Sequence, residues 1–249
     1  RDTIPMDDET TFGLYQRGDT IGTFQFESEG MRKHLKELKP NNIEDLIAMN
    51  ALYRPGPMQF IDTYIKRKHG QEKVEYPHPM LEEILKPTYG IMVYQEQIMQ
   101  TAQIMAGFSL GKADILRRAM GKKKVAIMEE MRIVFVDGAL EKGIEKEKAE
   151  EIFEIMMRFA EYGFNRSHSA AYSVIAYQTA YLKAHYPAEY MAAVLTHNLN
   201  DIKKITQFIE ESKRHNLEVL GPDVNESAYN FTVTKSGTIR FGMGAIKGV

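Results

Sequence analysis

Apolar residues recur at helical spacing over most of this 249-residue chain, and that periodicity limits its fold more than any single motif does. Two segments carry it most clearly. Val125–Glu141 places Met128, Met131, Phe135 and Ala139 on one side, and Lys146–Tyr162 does the same with Ala149, Ile152, Phe153, Met156 and Phe159. Gly143 between them suits the turn of an αα-hairpin. Further helices are expected over residues 30–38, 42–52, 60–69, 98–106, 109–121, 167–186, 187–197 and 201–214, and a short one starting near Pro5. Against this background β-like patterning is sparse. Gly22–Glu27 alternates apolar and polar, as a short half-buried strand would. Leu217–Leu220, Tyr229–Val233 and Thr238–Phe241 are short strand-like runs around a Ser236-Gly237 turn. The expected fold is therefore mainly α, a multi-helix domain with a few short β-strands near the N-terminus and in the C-terminal segment. A boundary is placed near residue 216.

Composition excludes several functional classes. No cysteine is present, which rules out disulfides and thiolate metal sites and fits a reducing, cytoplasmic setting. No apolar run approaches the roughly 20 residues of a membrane span, so no membrane partner is expected. Thirty-two Lys and Arg against 34 Asp and Glu give a net charge of −2, so any polyanion site has to be local. The chain opens at Arg1 and closes on Gly248-Val249, and is read as a piece of something longer.

The local cations lie in Ser109–Lys124. Lys112, Arg117, Arg118, Lys122, Lys123 and Lys124 face one acid, Asp114. Ala113, Leu116 and Met120 give this stretch a buriable helical face, with Ser109 as cap and Gly121 as a left-handed stop. Two readings fit. Arginine forks with neighbouring lysines suit a triphosphate or a phosphate backbone. Equally, Asp114 could neutralise an arginine three or four residues on, leaving an ordinary solvated face.

A second informative stretch is Gly163-Phe-Asn-Arg-Ser-His-Ser-Ala-Ala-Tyr172, in which Asn165, Arg166 and Ser167 lead into a long helix. Ser167 is a candidate cap, and the small residues Ser169, Ala170, Ala171 and Ser173 would leave the helix start bare for a flat ligand. His168 and Tyr172, at i and i+4, share a face near an end that favours anions; local packing of both is the alternative. Arg54, in Tyr53-Arg-Pro-Gly-Pro57, is held by a rigid loop and is kept as an additional phosphate candidate.

Catalytic machinery is not visible. Two-metal phosphoryl transfer needs converging carboxylates, whereas the acid pairs Asp7-Asp8, Glu82-Glu83, Glu129-Glu130 and Glu150-Glu151 read as helix starts or solvated faces. There is no Walker loop, His-Glu-x-x-His or nucleophile elbow. A metal hydrolase using His168 and His185 lacks partner carboxylates at ligand spacing.

Several blocks, in order, resemble the fingers domain of the bacterial DNA polymerase III alpha-subunit family, the C-family replicative polymerases. They are Gly22-Thr-Phe-Gln-Phe-Glu-Ser-Glu-Gly-Met31, Tyr53–Pro57, Tyr89-Gly-Ile-Met-Val-Tyr-Gln-Glu-Gln97, Ala113-Asp-Ile-Leu-Arg-Arg-Ala-Met-Gly-Lys-Lys123, Tyr162–Tyr172 and Lys183-Ala-His-Tyr-Pro187. The resemblance implies that residues 1–20 lead in from the palm, that 21–215 are helical fingers, and that 216–249 enter the next, helix-hairpin-helix and clamp-binding domain. By block, Arg117 and Arg118 would lie near the triphosphate of an incoming dNTP, with Lys122 and Lys123 as neighbours and His168 and Tyr172 beside the nucleotide. It also implies primer-template DNA, the sliding clamp and other replicase subunits as partners. Catalytic aspartates and Mg2+ would belong to a palm outside this chain, leaving the 249 residues alone inactive. The alternative is a scaffold with a general nucleic-acid-binding basic patch.

Overall fold

The protein is described here by a computed structural model covering residues 3–122, 124–160 and 162–249. Lys123, one of the candidate phosphate ligands, lies outside the described residues. Among the described residues the chain is mainly helical, with one small sheet. The helices are α1 (Glu9–Arg17), α2 (Glu29–Leu38), α3 (Ile43–Leu52), α4 (Ile61–Lys68), α5 (Glu82–Leu85), α6 (Gln95–Ala106), α7 (Leu110–Gly121), α8 (Val125–Glu141), α9 (Lys146–Ala160), α10 (Arg166–His185), α11 (Pro187–Thr196) and α12 (Ile202–Arg214). None is long and apolar enough to cross a membrane.

The chain forms two compact units. One combines residues 1–43 with 174–249, and the other is residues 44–173. In the continuous unit, α6, α7, α8 and α9 pack around Ile98, Met105, Leu116, Phe135, Phe153 and Met156, each at most 2% exposed. The apolar spacing that predicts α7 is what buries it: Ala113, Leu116 and Met120 are all inward. Ser109 caps α7 by accepting from the Lys112 amide (3.2 Å). Gly121, expected as a left-handed stop, is instead the last residue of the helix, and Lys122 closes it with φ −99°. Entry to α6 depends on buried Gln97, whose Oε1 accepts from the amides of Val93 (2.8 Å) and Tyr94 (3.0 Å) while its Nε2 donates to Thr88 Oγ1 (2.8 Å).

In the discontinuous unit, α11 and α12 pack with the sheet around Met191, Leu195, Ile205, Phe231 and Ile239. The strands β1 (Val219–Leu220), β2 (Thr232–Val233) and β3 (Ile239–Arg240) are ordered β1-β3-β2, with β1 parallel and β2 antiparallel to β3. The three C-terminal strand-like runs are thus strands, though shorter than their patterning suggests. The N-terminal one is not. Residues 21–26 are wound into turns, with Gly22 at φ 81° and Gln25 at φ 66°. Thr20 Oγ1 closes them by donating to the Phe26 carbonyl (2.6 Å). The alternation that reads as a strand buries Thr23 and Phe26 through this loop instead.

Candidate functional site

All the sequence-predicted site residues that the structure describes belong to the continuous unit, residues 44–173. Arg117 is the best placed of them. Its Nε (2.9 Å) and Nη2 (2.7 Å) both donate to Asp114 Oδ1, and its Nη1 donates to Gln95 Oε1 (3.2 Å). Gln95 in turn ties this group to the segment entering α10. Its Nε2 donates to the Gly163 carbonyl (3.2 Å) and its amide to the Phe164 carbonyl (2.9 Å). A cavity of about 260 Å3 is lined by Gln95, Glu96, Met99, Asp114, Arg117 and Asn165. Arg117 is thus brought to the start of α10.

Arg118 is more exposed and donates from Nε to Asp114 Oδ2 (2.7 Å). One carboxylate therefore bridges two guanidiniums, where sequence spacing suggested it would neutralise one. The Arg117 hydrogen bond, with charge from both arginines, outweighs desolvation and holds the Asp114 carboxyl below the usual carboxylate range. Lys122 is exposed at the end of α7.

The start of α10 is built differently from expectation. The cap is Asn165, not Ser167: Asn165 Oδ1 accepts from the His168 amide (2.7 Å). Glu96 supplies a carboxylate to the same end, accepting from the Arg166 amide (3.0 Å) and Asn165 Nδ2 (2.8 Å). An internal anion thereby occupies part of the helix dipole's positive end. The Arg166 guanidinium is turned onto Glu44 (2.7 and 2.9 Å), and Ser167 is exposed. Ser169 and Ser173 do not leave a bare surface. Both are buried, and Ser169 Oγ donates to the Ile47 carbonyl (2.7 Å), so small size serves close approach of α3.

His168 is exposed, with its ring 5.4 Å from Phe164 and 4.2 Å from Tyr172, centroid to centroid. Arg54 lies 4.5 Å over the other ring of this series, Phe164. Its Nε donates to the Ala51 carbonyl (2.8 Å) and its Nη2 to the Tyr162 carbonyl. Burial also lowers its pKa. These bonds make Arg54 a tie between the Pro55–Pro57 loop and the segment entering α10. Gly56 makes that loop possible: at φ 97°, a Cβ there would sit 2.4 Å from the Tyr162 ring.

Gln95, Glu96 and Glu44 were not singled out from sequence. The signal available for the first two was a polar pair opening an otherwise apolar-faced helix, directly after the buried run Ile91–Tyr94. Glu44 carried none, because its partner lies 122 residues away.

Comparison with known proteins decides the family. Residues 1–143 match the bacterial DNA polymerase III alpha subunit finger domain. The chain belongs to that family. Residues 216–249, which hold the small sheet, match a helix-hairpin-helix motif. Relatives named DNA polymerase III subunit alpha include those of Borreliella burgdorferi (58% identical over 98% of this chain), Pseudomonas aeruginosa (52% over 100%) and Escherichia coli K12 (50% over 99%). The chain spans only about a fifth of these relatives, 21%, 22% and 22% of their lengths respectively.

Proposed function

We propose that this chain is the fingers module of a bacterial replicative DNA polymerase, binding the triphosphate of the incoming dNTP and positioning the template for nucleotidyl transfer. The observation that carries the reading is Arg117, a guanidinium held by three hydrogen bonds to Asp114 and Gln95 near the start of α10 and lining a cavity. Planar forks of this kind recognise phosphate oxygens, and phosphoryl-transfer catalysis is chiefly positioning and charge stabilisation. Arg118 and Lys122, exposed along the same helix, would add charge to the triphosphate tail. His168 and Tyr172 offer an aromatic face to a sugar or base.

The Mg2+ that such a transfer uses is not assigned to the described residues of this chain. Among the described residues no three His, Asp or Glu side chains come together as a metal site. Metal and reacting carboxylates are accordingly ascribed to the palm of the parent polymerase, and the sliding clamp and other replicase subunits to its other surfaces. In this reading the working protein is cytoplasmic.

Arg117→Ala in the full-length polymerase tests the proposal. Loss of a charge-assisted, bidentate phosphate contact should lower kcat/KM for the nucleotide by about 100-fold, with primer-template affinity held. The second reading, a scaffold contacting nucleic acid generally, has the helix-hairpin-helix match in its favour. It predicts instead weakened DNA binding with a shallower salt slope and unchanged nucleotide KM.

A further inference from the structure

A long arginine side chain that waits in solvent for its ligand loses rotamer entropy when it binds. Arg117 does not wait in that condition. Of its five N–H donors, three are already engaged: Nε and one N–H of Nη2 by Asp114 Oδ1, and one N–H of Nη1 by Gln95 Oε1. One N–H on each terminal nitrogen is left without a partner among the described residues. Charged N–H groups left open in this way are what phosphate oxygens accept from. Asp114 meanwhile spends Oδ2 on Arg118 Nε (2.7 Å), and both terminal nitrogens of that second fork are without a partner among the described residues. One carboxylate thus orients two forks from the side. It also relieves the repulsion between adjacent guanidiniums and leaves the pair with a net charge of +1.

Glu96, the other acid lining the cavity, is directed elsewhere. Its oxygens accept from the Arg166 amide and from Asn165 Nδ2. Asp114 and Gln95 are therefore the groups that set the direction of the Arg117 fork, and Gln95 fixes it relative to Gly163 and Phe164.

We propose that Asp114, seconded by Gln95, is a positioning residue that holds Arg117 and Arg118 as a preformed two-arginine clamp for a triphosphate. The inference rests on the nucleotide reading of Arg117 given above. It assigns Asp114 a role opposite to that of a counter-ion competing with the ligand.

Single-turnover incorporation by the full-length polymerase separates the two. Asp114→Ala should raise the apparent Kd for the dNTP about tenfold, the size of one lost orienting interaction, with the maximal rate changed less than about twofold. Primer-template affinity and melting temperature should hold. Asp114→Asn keeps an acceptor for Arg117 but offers an N–H to Arg118, so its Kd should fall between wild type and Asp114→Ala; being isosteric, it also decides the matter if the alanine variant is unstable. In an Arg117→Ala/Arg118→Ala background, Asp114→Ala should add nothing, because the residue acts only through the arginines. An unchanged or lowered Kd in Asp114→Ala or Asp114→Asn overturns the proposal, as does an undiminished penalty in the double-arginine background. Normal kinetics in Arg117→Ala would overturn the nucleotide reading itself and this inference with it, and that result is distinguishable from the others.

Discussion

Lys183 is the most completely committed charge among the described residues. Its ammonium has three donors, and all are used: Glu211 Oε1 (2.7 Å), the Asp19 carbonyl (2.7 Å) and the Ile21 carbonyl (2.8 Å). Both side chains of the ion pair are 2% exposed. The pair joins α10, α12 and the wound 19–21 loop within the discontinuous unit. Burial alone would raise the Glu211 carboxyl, but hydrogen bonds from His215 and Lys183, with charge from Lys183 and Arg214, bring it down to about 2. Lys183→Met should cost about 3 kcal/mol in chemical denaturation at neutral pH, because it strands a buried carboxylate and two carbonyls; Arg214 and His215 keep the loss toward the lower end for a broken buried pair. The folded pKa is depressed, so this stabilisation is complete above the ordinary value of 4.5 and is lost as pH falls toward about 2. The gap between variant and wild type should therefore narrow over that window, and a gap independent of pH would show that the charge of Glu211 is not what Lys183 serves. None of this was legible in Lys183-Ala-His-Tyr-Pro187. A lysine in a helix's last turn reads as dipole complement, and only the fold reveals its partner 28 residues on. Asp114 is the contrary case. Its spacing to Arg117 and Arg118 on one helix made the pairing readable, and what sequence lacked was Gln95, supplied by another helix.

At the scale of elements, the helices followed from apolar spacing because each buries the face its period defines, as Phe135 and Ala139 of α8 do. Period alone failed where backbone conformation overrode it. The Gly22–Glu27 alternation is spent on a loop with two positive φ values, and Gly121 stays helical. Apolar spacing also says nothing about how closely two helices meet. Gly138 sits in the last turn of α8, where it lowers helix propensity. Its value is proximity: a Cβ there would lie 2.3 Å from the Ala106 carbonyl at the end of α6. That oxygen belongs to backbone and cannot swing aside as a flexible side chain would. Gly138→Ala should therefore destabilise by about 1–3 kcal/mol through overpacking, despite alanine's better propensity, as read from the denaturation midpoint. Stabilisation instead would mean that α6 and α8 separate without penalty.

At the scale of the whole chain, the partition into residues 1–43 with 174–249 and residues 44–173 was not legible. Composition changes near residue 216, where the small sheet begins, but nothing local marks residues 43 and 173, and the latter falls inside α10. Charge is a property of the whole chain that was legible, and it yields the last prediction. A net charge of −2 gives no general attraction to nucleic acid, so binding has to come from a few local cations. In Ser109–Lys124 these are few indeed. Arg117 is largely occupied by Asp114 and Gln95, and Lys112 lies over the Phe108 ring at 4.8 Å. Arg118, Lys122 and Lys124 remain exposed. Each phosphate neutralised on duplex DNA contributes a slope of about −0.9 in log K against log salt, so if these three cations carry the contact, the chain should bind primer-template with a slope of about −3. Reversing Lys122 and Lys124 to glutamate should flatten it by about 2. A slope near −8, untouched by those two reversals, would place the DNA-binding cations elsewhere on the chain and remove Lys122 and Lys124 from the DNA contact, leaving Arg117 and Arg118 to be judged by nucleotide kinetics alone.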